Sequence, residues 1–259
     1  LQDIEIITPQ KHPRFKEFYR DYLQKNQRSG VTISMAIEKM AQNTFFGATL
    51  AKYDEVDAVM AGPSLTYPEC FRPMNKIIGT TDQRKAAGIY ILTFKDRVIF
   101  LADCTAQIKP APEDLADIAS ATAELYENLM NKKPAIAFLS YSNFGSNPTA
   151  KNQKNAVTLT KEKYPDLICD GEMQADVAIN PTILDNLFPF SDLNSSADIL
   201  IFPDLNSANI SYKLLTQLSD CTTIGPILTP MKKNVNIFAR TATISEMINM
   251  TILTSTLSE

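Results

Sequence analysis

The sequence predicts an α/β protein with a largely parallel sheet covered by helices on both faces. Two observations predict it. Short apolar runs of strand length alternate with longer segments of helical periodicity. Those runs are also apolar throughout rather than at every second position, as in strands buried on both sides.

The elements follow in order. Phe15, Phe18, Tyr19 and Tyr22 recur at helical spacing and predict a helix over 15–25. Thr32 is suited to cap a second helix over 33–52, with Ile33, Ala36, Ile37, Met40 and Ala41 along one face. Residues 57–62 read as a short buried strand, and Pro68, Pro73 and Gly79 limit 63–81 to a short helix at most. The runs 88–94 and 97–103 are separated only by Lys95 and Asp96, which predicts an antiparallel hairpin. Pro112 opens a helix to about residue 131, with Leu115, Ile118, Ala119, Leu125 and Tyr126 facing inward. A strand over 135–139 and a helix over 149–164 come next, then strands at 167–169, 176–179 and 197–202. A helix over 207–218, a strand over 224–228 and a final helix over 243–253 complete the alternation. No internal repeat or low-complexity segment interrupts it.

With 259 residues, 44% hydrophobic and 21% charged, the chain has enough apolar material for a sizeable core. Its 25 basic and 29 acidic residues are well mixed, which argues against a nucleic-acid patch or a membrane-surface helix. No apolar run approaches the roughly 20 residues of a membrane helix, and no signal-peptide pattern opens the sequence. Cys70, Cys104, Cys169 and Cys221 are scattered and read as reduced thiols of a cytoplasmic protein, with a disulfide or metal role as the alternative. His12 is the sole histidine, which argues against His-based triads and His-rich zinc sites. Dinucleotide and triphosphate fingerprints are missing. The chain starts at Leu1 rather than Met and is expected to be a piece of a longer polypeptide.

Several segments are suited to chemistry. The loop carrying Ser142, Asn143, Gly145 and Ser146 follows the strand at 135–139, where ligands of open α/β sheets sit. Its hydroxyls and N–H groups suit a phosphate or carboxylate, although a plain strand-to-helix turn explains them equally. Arg72, and Arg240 with Thr241 beside it, lie in loops where a guanidinium can grip an anion through two parallel hydrogen bonds; a solvated surface arginine is the alternative. Glu246 falls in the first turn of the last helix, either as a catalytic acid or as a partner of the helix dipole. Asp170-Gly-Glu-Met-Gln-Ala-Asp176 offers oxygens to a hard cation or, more simply, a turn, so no metal is assigned. Asp204 or Asn206 is placed to cap the helix that follows.

Taken together, the ordered motifs Phe71-Arg-Pro, Ala102-Asp-Cys, Ser140-Tyr-Ser, Asp170-Gly-Glu-Met-Gln-Ala-Asp, Ile201-Phe-Pro-Asp-Leu-Asn and Gly225-Pro-Ile-Leu resemble the phosphate acetyltransferase (phosphotransacetylase) family over nearly the whole chain. The family's first βα units have no counterpart. Ser142-Asn-Phe-Gly-Ser146 and Ala242-Thr-Ile-Ser-Glu-Met-Ile-Asn-Met-Thr251 are most similar to the C-terminal domain of large NADP-dependent malic enzymes. The resemblance implies two doubly wound α/β subdomains in an isocitrate-dehydrogenase-like arrangement, residues 1–80 with 225–259 and residues 81–224, with a ligand cleft between them. It implies acetyl-CoA or another CoA thioester as ligand, held by Arg72, Ser142, Asn143, Gly145, Ser146, Arg240 and Thr241. It further implies a homodimer or higher homo-oligomer, and a malic enzyme domain in the same chain to which NADP and a divalent metal would belong.

Departures from the family pattern bear on activity. Ala239 stands where the active transferases carry a serine, Glu246 where they carry an aspartate, Phe144 where they carry a lysine and Asn26 where they carry an arginine, while Arg72 and Arg240 are kept. Loss of one oxyanion donor costs about 10²–10³ in rate, roughly 2.7–4 kcal/mol. The expectation is a regulatory domain that senses acetyl-CoA with little or no transferase activity. An active phosphate acetyltransferase and a non-binding assembly module are the rival readings.

Overall fold

The computed structural model describes residues 4–147 and 150–258. Three helices come first, Phe15–Asn26 (α1), Ile33–Met40 (α2) and Asn43–Lys52 (α3). The single helix expected over 33–52 is thus two. Gln42 is extended, and the corner turns Phe45 and Phe46 inward onto α1. After Ala58–Ala61 (β1) comes Tyr67–Ile77 (α4), an eleven-residue helix where the prolines had suggested a short one at most. Two features allow it. Pro68 sits in the first turn, where no N–H donor is required, and Thr66 with Glu69 forms a capping box. Pro73 forgoes one helical bond but is buried with Cys70, Met74 and Ile77 on a continuous inner face.

Ala87–Thr93 (β2) and Val98–Ala102 (β3) form the expected hairpin. Pro112–Met130 (α5), Ala135–Leu139 (β4) and Lys151–Lys163 (α6) follow; Thr149, expected to open the last of these, lies outside the described residues. Two strands with an acidic turn between them were expected at 167–179. One strand, Ile168–Met173 (β5), is found there, followed by the short helix Ala175–Ile179 (α7). The acids sit inside the strand because each has a partner distant in sequence. Asp170 meets Lys161, Ser191 and the Asp192 N–H, and Glu172 meets Ser142 and Gly145. Pro181–Leu187 (α8), Ile199–Ile201 (β6), Leu205–Leu218 (α9), Thr222–Thr229 (β7), Asn234–Ile237 (β8) and Ile244–Thr256 (α10) complete the chain. Asp204 caps α9 through the Ser207 N–H. The sequence alone does not mark β8, because Asn236 lies within it. The Asn236 side chain is buried, donating to Thr254 and accepting from the Leu228 N–H.

The eight strands form one sheet in the order β1-β8-β7-β2-β3-β6-β4-β5. It is mixed rather than largely parallel. The pairs β1/β8, β3/β6, β4/β6 and β4/β5 are parallel, whereas β2 is antiparallel to both β3 and β7, and β7 to β8. Short reversals at residues 94–97 and 230–233 permit no crossover helix, so those pairs must run antiparallel. Alternate residues feed two cores. Ile89, Ile91, Phe100, Ile136 and Phe138 pack with α5, α6 and Met250, whereas Tyr90, Leu92, Leu101, Ala137 and Leu139 pack with α7, α8 and α9. A third core joins α1–α4 to Leu228, Val235 and Ile237. Full burial of each large side chain contributes about 1.5–3 kcal/mol.

Candidate functional site

The sheet and its flanking helices leave a groove of about 390 Å³. Leu65 and Tyr67 line it from the start of α4, Tyr90 from β2, Thr105 from the turn after β3, and Asn209, Tyr212 and Lys213 from α9. Phe238, Ala239, Arg240 and Thr241, which follow β8, close the opposite wall. A second cavity of about 220 Å³ shares Tyr90, Tyr212, Lys213 and Ala239 and extends to Glu246.

The floor is set by close packing. Tyr90 and Tyr212 stack with centroids 4.1 Å apart. Gly225, at φ +151°, leaves room for the Tyr90 ring against its backbone, since a Cβ there would lie 2.6 Å from that ring. Behind the floor, the Asp103 carboxylate, 3% exposed, accepts the N–H groups of Gly88, Thr105 and Ala106 on one oxygen and that of Gln107 on the other, at 2.6–3.0 Å. This clamp fixes the turn that presents Thr105, whose hydroxyl lies 3.2 Å from the Tyr67 hydroxyl. Burial pushes the Asp103 carboxyl up, against the pull of the four N–H groups. Burial also pushes Tyr67 and Tyr90 well above the usual tyrosine range, so both hydroxyls stay neutral donors.

Arg240 is exposed and, among the described residues, has no hydrogen-bonded or ion-paired partner. Its charge nevertheless reaches Glu69. The Thr66 hydroxyl and N–H hold the Glu69 carboxyl below the usual range, and Arg240 adds to that pull. Lys213 lies 5.1 Å from the Tyr212 ring centroid. Glu246 faces the smaller cavity, but its Oε2 accepts the Thr243 N–H at 2.6 Å and the Thr243 hydroxyl at 2.9 Å. It therefore forms a capping box at the start of α10, in keeping with the dipole reading.

Arg72 lines a separate hollow of about 820 Å³ between α1, the α2–α3 corner and α4. The hollow adjoins the groove, with Leu65 lining both and Glu69 of the hollow lying within electrostatic reach of Arg240.

Ser142, Asn143, Gly145 and Ser146 line none of these three cavities. Their donors are used within the protein. The Ser142 hydroxyl and the Gly145 N–H both donate to Glu172 Oε1, at 3.2 and 2.7 Å, and Glu172 is fully buried. Asn143 exchanges hydrogen bonds with Gln174, and Ser146 Oγ accepts the Asn143 N–H. Phe144, at φ +48°, is wedged 5.0 Å from both Phe188 and Phe190. Among the described residues, no three His, Cys, Asp or Glu side chains group to hold a metal ion, and no helix is long and apolar enough to cross a membrane.

Arg240 and Thr241 thus share a groove that adjoins the hollow of Arg72, whereas the serine-rich loop stands apart. Tyr67, Tyr90, Thr105, Asn209, Tyr212 and Lys213 were not singled out from sequence. Two of them carried a signal. Thr105 and Asn209 follow the carboxyl ends of β3 and β6, where open α/β sheets bind ligands.

The family profile for phosphate acetyl/butaryl transferases matches residues 1–255. The NADP-dependent malic enzyme of Escherichia coli (strain K12) is 34% identical over 256 residues, covering 97% of this chain and 34% of its own length. The phosphate acetyltransferase of Clostridium acetobutylicum is 33% identical over 267 residues, covering 98% of this chain and 79% of its own length. A crystal structure of a phosphotransacetylase from Streptococcus pyogenes superposes with a TM-score of 0.92 at 29% identity, covering 99% of this chain and 79% of the other. The chain therefore spans about a third of this malic enzyme and about four-fifths of these two transferases.

Proposed function

Because the chain belongs to the phosphate acetyl/butaryl transferase family, we propose that its groove binds acetyl-CoA as a regulatory ligand and supports little or no acetyl transfer. The carrying observation is the wall at 239–240. Arg240 offers an unpaired guanidinium to the groove, while its neighbour Ala239 has no hydroxyl for a developing oxyanion. Missing one such donor costs about 10²–10³ in rate. Glu246, which faces the adjoining cavity, spends its carboxylate on the helix cap. Binding requires less: a concave site, apolar walls and a few placed polar groups.

In this reading residues 1–80 with 225–259 form one lobe, 81–224 the other, and the groove runs between them. The parent protein is a malic enzyme, with NADP and a divalent metal confined to its other portion. The domain self-associates as a homodimer or higher homo-oligomer. Acetyl-CoA regulates by binding two states of the whole protein unequally, since equal affinity shifts nothing.

Calorimetry with acetyl-CoA, paired with an acetyl-transfer assay, tests the proposal. The expected outcome is binding without robust turnover, with a gain of transfer in Ala239→Ser. In the full-length protein, Arg240→Ala should raise the acetyl-CoA concentration needed for inhibition. Robust turnover by the unmodified chain favours the active-transferase reading, which draws on the 33% identity to a phosphate acetyltransferase. Absence of binding leaves an assembly module.

A further inference from the structure

The smaller cavity beside the groove is larger than an acetyl group requires. It shares Tyr90, Tyr212, Lys213 and Ala239 with the groove and holds about 220 Å³, whereas a group the size of a water molecule takes about 30 Å³. Its width comes from small residues, since Gly225, Ala239 and Ala242 stand along walls that larger side chains would fill.

The polar groups of the cavity divide into those engaged and those free. The Thr216 hydroxyl donates to the Tyr212 carbonyl at 2.8 Å and lies 3.1 Å from the Thr223 hydroxyl. Glu246 is the one acid in the lining, and its Oε2 is taken by the Thr243 N–H and hydroxyl. Lys213, Gln217 and Thr241 differ: among the described residues their side chains have no hydrogen-bonded or ion-paired partner, and the Lys213 nitrogen lies 5.1 Å from the Tyr212 ring centroid. Lys213 and Gln217 are four residues apart on α9, so an ammonium and an amide stand side by side at the cavity. Arg240, next to Thr241, adds a second unpaired cation from the groove side. Two free cations therefore face one engaged acid.

We propose that this cavity receives the carboxylate end of an acyl chain, so that the site prefers CoA thioesters of small dicarboxylic acids to uncharged acyl esters of the same length. This rests on the functional reading above and refines its ligand. The thioester carbonyl lies at the Arg240 wall, and the chain runs past Lys213, which lines both spaces. A methyl-ended chain on that path displaces water from the ammonium and offers it no partner. A carboxylate there accepts from Lys213 and Gln217 together, through hydrogen bonds stronger than neutral ones. Glu246, on the α10 side, opposes a second carboxylate, but its charge is offset by the N–H groups that open α10.

The test is a calorimetric series on the whole chain with acetyl-CoA, butyryl-CoA and succinyl-CoA. The last two carry acyl groups with the same number of carbons, ending in a methyl and a carboxylate. Succinyl-CoA should bind about ten-fold more tightly than butyryl-CoA. Lys213 is exposed, so Lys213→Met should stay folded, as its circular dichroism melt would show. In that variant the ratio of the two affinities should shrink to within about two-fold. Ala242→Leu narrows the cavity without entering the groove; it should weaken butyryl-CoA and succinyl-CoA about ten-fold and leave acetyl-CoA within about two-fold. Equal affinity for succinyl-CoA and butyryl-CoA overturns the proposal. So does a preference that survives Lys213→Met, or an Ala242→Leu variant that binds all three esters unchanged. In each of those cases acetyl-CoA binding keeps the functional reading. Succinyl-CoA binding without acetyl-CoA binding does the reverse, and no binding of any ester sinks both.

Discussion

The Ser142–Ser146 loop and the groove wall at 237–241 both follow a strand and both carry polar side chains, yet they use them in opposite ways. In the loop, the Ser142 hydroxyl, the Gly145 N–H and the Asn143 amide are all satisfied from β5 or from Gln174. At the wall, Arg240 has no such partner and faces a cavity of about 390 Å³. The lesson is that residue type says little about a ligand site until the partners already taken are counted. A donor bound to a buried carboxylate stabilises the fold; a donor left facing a cavity is available to something else.

Substitutions can break or sharpen that contrast. The largest effect is expected at the groove's own clamp. Asp103→Ala strands several N–H donors, each costing about 1–3 kcal/mol, so stability should fall by at least about 3 kcal/mol in urea unfolding. Ser142→Ala removes a hydroxyl donated to a buried carboxylate and should cost about 1.5–3 kcal/mol while leaving acetyl-CoA affinity unchanged. A loss of affinity there would erase the distinction between the two regions. Arg240→Ala should do the reverse, moving stability by no more than about 0.5 kcal/mol and weakening acetyl-CoA about ten-fold, roughly 1.4 kcal/mol.

The smallest effect concerns pH. Tyr67 and Tyr90 have hydroxyl pKa values raised by burial above the unfolded value of about 10. Above that pH the unfolded chain loses protons that the folded chain retains. Their contribution is therefore complete below about pH 10 and declines as pH rises further. Stability measured between pH 8 and 11 should fall less steeply in Tyr67→Phe, and an unchanged slope would show that the Tyr67 hydroxyl does not titrate in this way.

How much was legible depended on the range of the interactions. The β2–β3 hairpin was readable because Lys95 and Asp96 leave no room for a crossover, and α5 because Pro112 and its inner stripe are local signals. The strand β5 was not, because Asp170 and Glu172 become compatible with burial only through Lys161, Ser191, Ser142 and Gly145, remote in the sequence. The corner at Gln42 was equally hidden, since the side chains that justify it, Phe45 and Phe46, pack against α1. At the site, Arg240 was visible as a cation just before a helix. Tyr90, Thr105 and Lys213 converge only once β2, β3 and α9 are assembled, and no local pattern announces that meeting.

Helix α4 has one mechanical consequence. Its first turn places Tyr67 against the groove, and Arg72, five residues on, lines the hollow. A helix rises about 1.5 Å per residue, so those two side chains sit about 7.5 Å apart along one helix, with the bond that Pro73 forgoes to the Glu69 carbonyl lying between them. Any tilt of α4 that widened one chamber would therefore also shift part of the wall of the other.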